Sequence, residues 1–333
     1  MRPSADALSR AEAAPPPGLV AFRKLHGLGN DYLFATSAEV AGRALPALAR
    51  ALSDRHFGVG ADGLIVVGPP PAGSGADLSM SMFNADGSPS QMCGNGVRGL
   101  VRFAIEEGLA AGPQVRVASG GAVVTATARR DGERFEVEVD MGPPRFACGA
   151  LPMRLAGLGP SEECLGEPIE RLAAAIGRSD LVAALGGSGR FSAVSMGNPH
   201  LVLECAAPRR VAIESIGPLL ERATCFPEGV NVHAVAAEAP DRIVMRTWER
   251  GSGITLACGS GACAAFAALR RLGRTGAAAE VVLPGGVLRI AEASGGGGIL
   301  MTGEAEAVFE GRVDPEPLLR RLAEPGRPNA GGR

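Results

Sequence analysis

Short apolar runs alternate with glycine-rich turns and longer amphipathic stretches along the 333 residues of this chain. Apolar and β-branched runs predict strands over Leu64–Val67, Asp77–Phe83, Val115–Val117, Val123–Ala128 and Phe135–Val139. The same signal recurs at Ser192–Ser195, Leu201–Glu204, Arg242–Trp248, Val281–Leu283 and Val287–Ile290. Helical spacing predicts helices over Ala44–Asp54, Gly96–Glu107, Pro168–Ile176, Gly217–Arg222 and Gly261–Arg271. Pro168 suits a first helical position, where its missing N–H costs nothing. Strands outnumber helices, and several sit in hairpins. The balance points to a mixed α/β fold of α+β character, not a regular parallel βαβ array.

A long-period repeat sharpens this picture. The segments MCGNGVRGLVRFA, beginning at Met92, and ACGSGACAAFAAL, beginning at Ala257, both read as a Cys-Gly-polar-Gly turn running into an apolar helix. Their cysteines, Cys93 and Cys258, are 165 positions apart. The segment LGNDYLF around Asn30 resembles MGNPHLV around Asn198, 168 positions later. Asn84 precedes Cys93 by 9 positions, as Glu249 precedes Cys258. Three pairs in one order near one offset imply two halves of similar fold about a pseudo-two-fold axis. Their boundary is expected in the Gly/Pro-rich stretch after Asp140. A cleft between such halves is a usual place for a ligand.

Composition excludes several partners. Charged residues make up 20% of the chain and the net charge is −2, so neither nucleic acid nor a membrane surface is expected as a partner. No apolar run approaches the roughly 18–20 residues that span a bilayer. Residues 1–20 are Ala/Pro-rich, lack the apolar centre of a signal peptide and are expected to be a disordered arm, with a flexible tail at 324–333. The 7 cysteines are an odd number without a CxxC pair, which predicts free thiols in a reducing cytoplasm. A structural zinc site, or any resident metal, is not expected.

Cys93 and Cys258 each sit just before a helix. A helix start presents unpaired N–H groups and partial positive charge, which is expected to lower the cysteine pKa. The adjacent glycines let a carboxylate approach the amides of Gly94, Asn95, Gly259 and Ser260. Two such sites related by symmetry can hold one carboxylate, with a thiol on either face of its α-carbon. That geometry suits 1,1-proton transfer, one sulfur removing a proton and the other returning one. The amides would stabilise the charge that spreads into the carboxylate. Buried, inert thiols are the alternative for a lone cysteine, and that reading is kept for Cys148, Cys164, Cys205, Cys225 and Cys263.

Two literal GxGxxG matches, Gly58–Gly63 and Gly94–Gly99, do not make a nucleotide site. The first runs into a strand, and the second has no acidic strand end at the required distance.

Taken together, KLHGLGNDY (Lys24–Tyr32), DRHFGVGADG (Asp54–Gly63), FNADGSPSQMCGNGVR (Phe83–Arg98), SMGNPH (Ser195–His200), FPEGVNVH (Phe226–His233) and WERGSGITLACGSGACAA (Trp248–Ala265) resemble the diaminopimelate epimerase family. The resemblance implies interconversion of LL- and meso-diaminopimelate on the route to lysine, with no cofactor. It implies a small-molecule substrate and two domains, each a curved mixed sheet around a central helix. A homodimer is expected on separate grounds, as the commonest soluble homo-oligomer. The domains would be 21–141 and 142–303, with 304–314 returning to the first. Cys93 and Cys258 match the family's catalytic bases. Gly94, Asn95, Gly259 and Ser260 match the carboxylate-holding amides, and Asn30, Asn84, Asn198, Asn231, Glu249 and Arg250 match polar substrate contacts. His26, His56 and His200 are read as structural.

This chain departs from the family at Gly63, where some members carry Gln, and at Ile254, where Glu is common. The stretch Leu151–Arg190 is expected to be an added surface loop and helix. The competing readings are a proline or hydroxyproline racemase of the same fold, whose substrate would not need Glu249 and Arg250, and a non-catalytic amino-acid-binding module.

Overall fold

The longest helices, Gly94–Glu106 and Gly259–Arg271, are the repeated segments, and each is wrapped by strands of its own half. The computed structural model describes residues 18–90 and 94–324. Most of the expected arm and tail lies outside the described residues. Val20, however, is fully buried and opens a strand paired with Val313, so the arm is shorter than the expected 1–20.

In the first half, strands Val20–Gly27, Asn30–Thr36, Gly63–Gly68, Leu78–Asn84, Gln114–Ser119, Ala122–Asp131 and Arg134–Asp140 lie side by side in that order. In the second, Arg190–Ser195, Pro199–Glu204, Asn231–Ala239, Arg242–Glu249, Ala278–Leu283, Gly286–Glu292 and Ile299–Glu304 repeat the arrangement. Both halves run antiparallel, parallel, antiparallel, parallel, antiparallel, antiparallel. They join where Arg134–Asp140 pairs antiparallel with Ile299–Glu304, as a two-fold axis between these strands requires. The final strand, Glu306–Val313, returns to pair with the first. Its counterpart in the second half is the short pairing of Glu167–Pro168 with Arg190–Phe191.

Register makes the halves comparable residue by residue. Tyr32 faces Gly63 in one half and His200 faces Asn231 in the other. Ile65 faces Met82 where His233 faces Thr247.

Burial follows from spacing. Val97, Leu100, Val101 and Ala104 recur at helical intervals and all face the core. The second helix is buried almost all round by Ala262, Ala264, Ala265, Phe266 and Ala267, as an alanine-rich helix inside a curved sheet must be. At Gly99 a Cβ would lie 2.5 Å from the Phe34 ring, so glycine there permits the close helix–sheet approach.

All ten expected strands and five expected helices are present, mostly longer than predicted. All five helix starts shift: they fall at Leu45, Gly94, Ile169, Ile213 and Gly259. Pro168 caps the helix Ile169–Ala175 instead of beginning it, and the helix expected from Gly217 runs Ile213–Glu221 with Pro218 inside it. Strands Asn30–Thr36 and Asn231–Ala239 escaped the pattern because their buried runs do not alternate. The stretch Leu151–Arg190 is not merely a surface addition. Leu151, Leu155, Cys164, Ile169, Leu172 and Leu181 are buried and form part of the second half's outer core.

Candidate active site

Cys258 occupies the N-cap of Gly259–Arg271 in an extended backbone conformation (φ −127°, ψ 106°) and is 3% exposed. Its sulfur lies 3.8 Å from Ser260 Oγ, within hydrogen-bonding reach of the Gly261 amide and the Glu249 carboxyl. Cys93 lies outside the described residues; the helix that follows it is described from Gly94.

The two helix starts converge. A Cβ on Gly94 would lie 2.8 Å from Met301 Cε, and one on Gly259 would lie 2.8 Å from Met301 Sδ. Both first helical residues therefore pack on one side chain from the strand at the junction of the halves. Across this junction Asn30 and Asn95 donate from Nδ2 to the Ala257 carbonyl at 2.7 and 3.3 Å. Asn95 Oδ1 is buried without a hydrogen-bond partner among the described residues.

The other expected contacts hold one another in place. Asn231 accepts from the Arg250 amide at 2.9 Å and donates to the Pro199 carbonyl at 2.9 Å, so it ties the Asn198 turn to the Glu249–Arg250 turn. Glu221, not foreseen from the sequence, receives Trp248 Nε1 at 2.7 Å and the Gly251 amide at 3.0 Å and steadies the same turn. Arg250 reaches the Glu228 carbonyl at 2.7 Å. Asn84 is half-buried and donates to Ser88 Oγ at 3.0 Å.

Electrostatics corrects one expectation. Burial, and then the adjacent Glu249 carboxylate, hold the Cys258 thiol well above its ordinary pKa; the Gly261 amide and Ser260 hydroxyl pull the other way and lose. The helix start does not win because desolvating a thiolate outweighs a few amide dipoles. Burial likewise raises Glu249, against the hydrogen bonds from Thr255 and Cys258. The pair is therefore a protonated thiol beside a carboxyl that can take up a proton.

Beneath Cys258 lies a buried polar chain. Thr247 Oγ1 is 2.8 Å from His233 Nδ1, His233 Nε2 is 2.9 Å from His200 Nδ1, and His200 Nε2 is 2.8 Å from Asn198 Oδ1. Among the described residues, His200, His233 and Cys258 form the trio that could reach a common metal, their ligand atoms lying within 4.8 Å of one another. The fit is poor: the facing ring nitrogens are hydrogen-bonded at 2.9 Å, whereas a tetrahedral zinc holds two nitrogens roughly 3.3 Å apart.

Gly261 is where this chain meets the thiol. A Cβ there would lie 2.4 Å from His233 Cε1 and 3.0 Å from Cys258 Sγ. Gly261→Ala is therefore expected to cut turnover about tenfold or more by displacing the sulfur, while circular dichroism stays native. Unchanged turnover would show that the sulfur's position is not critical.

At Gly63 a Cβ would lie 2.3 Å from the Phe83 carbonyl oxygen, so any side chain there requires a backbone shift. Ile254 is exposed and pairs with Trp248 in a short hairpin; nothing in the structure explains its replacement of Glu.

Comparison with known proteins agrees with this architecture. A family model described as diaminopimelate epimerase matches residues 22–147 and 192–308. A diaminopimelate epimerase from Desulforudis audaxviator is 41% identical, covering 87% of this chain and 98% of its own. One from Pelotomaculum thermopropionicum is 40% identical, covering 87% and 97%. Among solved structures, a phenazine biosynthesis protein of the PhzF family from Bacillus anthracis superposes with a TM-score of 0.64 at 15% identity, covering 89% of this chain and 99% of that one. A hydroxyproline epimerase from Agrobacterium vitis, solved with trans-4-hydroxy-L-proline, gives 0.60 at 16%, covering 90% and 92%. These last two likenesses concern the fold alone. With two-fifths of its residues shared over nearly the whole length of such relatives, and with the family model matching both halves, this chain belongs to the diaminopimelate epimerase family.

Proposed function

We propose that this protein interconverts LL- and meso-2,6-diaminopimelate by proton transfer between two cysteines, Cys93 and Cys258, without pyridoxal phosphate or metal. The observation that carries the reading is Cys258: a buried thiol at a helix start, beside a carboxyl, where the two halves meet. As thiolate, one sulfur removes the α-proton while the other, as thiol, delivers a proton to the opposite face. Charge developing in the substrate carboxylate falls on the amides at Gly94-Asn95 and Gly259-Ser260. Glu249 accepts the Cys258 proton whenever that sulfur must act as base. Arg250 and the asparagines at 30, 84, 198 and 231 hold the distal amino-acid end, where a bidentate guanidinium suits a carboxylate.

The same reading places the enzyme in the cytoplasm as a homodimer, in lysine synthesis. No described helix is long and apolar enough to cross a membrane. The domains it implies are 21–141 and 142–303, with 304–314 returning to the first.

Incubating reduced protein with LL-diaminopimelate in deuterated water should incorporate deuterium at one α-carbon and drive the mixture towards the meso isomer. Incorporation into proline, with none into diaminopimelate, would instead favour a racemase of the same fold.

A further inference from the structure

Arg98 is the largest fully buried side chain of the described residues, at 0% exposure, and the proton transfer just described makes no use of it. It lies 5 positions after Cys93, as Cys263 lies 5 after Cys258. Cys263 is also fully buried, and the Arg98 charge bears on its thiol, so these two counterparts lie near each other where the halves meet. One is a guanidinium and the other a small, uncharged thiol. Packing in the second half therefore does without a cation at this position.

The space around the guanidinium is as one-sided as its charge. A Cβ on Gly27 would lie 2.6 Å from Arg98 Nη2, and one on Gly303 would lie 3.2 Å from Arg98 Nε as well as 2.5 Å from Leu288. Neither counterpart is glycine. Gly27 faces Asn30 across its hairpin, where Met196 donates its amide to the Asn198 carbonyl at 3.2 Å. Thr302 faces Glu138 at the centre of the junction strands, which makes Val139 the counterpart of Gly303. Two glycines thus make room for a cation on one side of the junction only.

The guanidinium is also tied to both helix starts. Nε donates to the Glu304 carbonyl at 3.2 Å, and Nη1 lies 3.7 Å from Met301 Sδ. Met301 is the side chain on which Gly94 and Gly259 both pack. In a dry interior a charge acts over several ångströms far more strongly than at the surface. We propose that Arg98 is a positioning residue: a single buried cation behind both helix starts, which steadies Met301 and makes the paired amides receptive to a carboxylate. The ligand's identity rests on the proposed function; the place of the cation does not.

The test compares Arg98→Met, which keeps length without charge, with Arg98→Lys, which keeps the charge. Iodoacetate and iodoacetamide are nearly the same size, and only the first carries a carboxylate. With each, a thiolate displaces iodide and a carbon–sulfur bond forms, which mass spectrometry reads at Cys93 and Cys258. Arg98→Met should lower the ratio of the iodoacetate rate to the iodoacetamide rate about tenfold, and Arg98→Lys should restore most of it. It should also raise KM for diaminopimelate and lower kcat, again with recovery in Arg98→Lys. An unchanged ratio in Arg98→Met, or an equal loss in both variants, overturns the proposal. Arg98→Gln serves as a second neutral variant. If neither neutral variant folds while Arg98→Lys does, the charge serves the fold alone and the proposal falls. A lowered ratio in a protein whose parent does not turn over diaminopimelate would count against the substrate, not against Arg98.

Discussion

Cys258→Ala should lose interconversion of the two isomers by about a thousandfold or more, the scale of a removed acid/base group, while the fold survives. The thiol is a small buried group at a helix cap, touching Ser260, the Gly261 amide and Glu249. Its loss leaves a cavity no larger than one sulfur. The variant separates inversion from exchange. With one base left, a proton can leave and return on a single face, so deuterium uptake without inversion is expected from one isomer only. Cys93→Ala should show the same behaviour with the other isomer. Equal uptake from both isomers by either variant, or full turnover, would end the two-base scheme. Measuring both products by chiral chromatography and mass together gives a direct reading.

A second large effect is expected from acid. Burial drives the pKa of His200 well below its ordinary value and that of His233 down to about 3. The unfolded chain, with histidines near 6.5, takes up protons as pH falls that the folded protein refuses. These groups therefore cost no stability above about pH 6.5. Below it they remove about 1.4 kcal/mol per histidine for each pH unit, until the folded pKa is reached. Near pH 5 His233 alone removes about 2 kcal/mol of the roughly 5–15 kcal/mol that holds a typical domain, and His200, lowered in the same direction, adds to the loss. Urea unfolding at pH 7, 6 and 5 should show this slope, and His233→Ile/Thr247→Met should show a shallower one. A flat profile between pH 7 and 5 would mean that the rings are not held neutral. Asp31 adds a separate loss only below about pH 4, its ordinary range. Burial would raise its pKa, but Arg55 and Lys24 overcome this and lower it.

The mixed α/β class, the duplication and the segments that become the two central helices are legible in the order of residues alone. These are local or repeated signals. A glycine-rich turn before an apolar helix reads the same wherever it sits, and two copies at one offset betray the symmetry. The order of the strands and the junction through Arg134–Asp140 and Ile299–Glu304 came only with the structure, because pairing across 160 or more positions leaves no local mark. So did the state of the Cys258 thiol. Sequence spacing locates a helix start, but the pKa depends on how much water the folded protein excludes and on Glu249 nine positions away. His233 and Thr247 read as ordinary strand residues, and only the register that sets them face to face, below His200, turns them into a hydrogen-bonded chain. Hydrophobic pattern and glycine placement act through nearest neighbours and survive in the one-dimensional record; protonation and amide orientation depend on contacts between distant residues, and so are decided by the packed molecule.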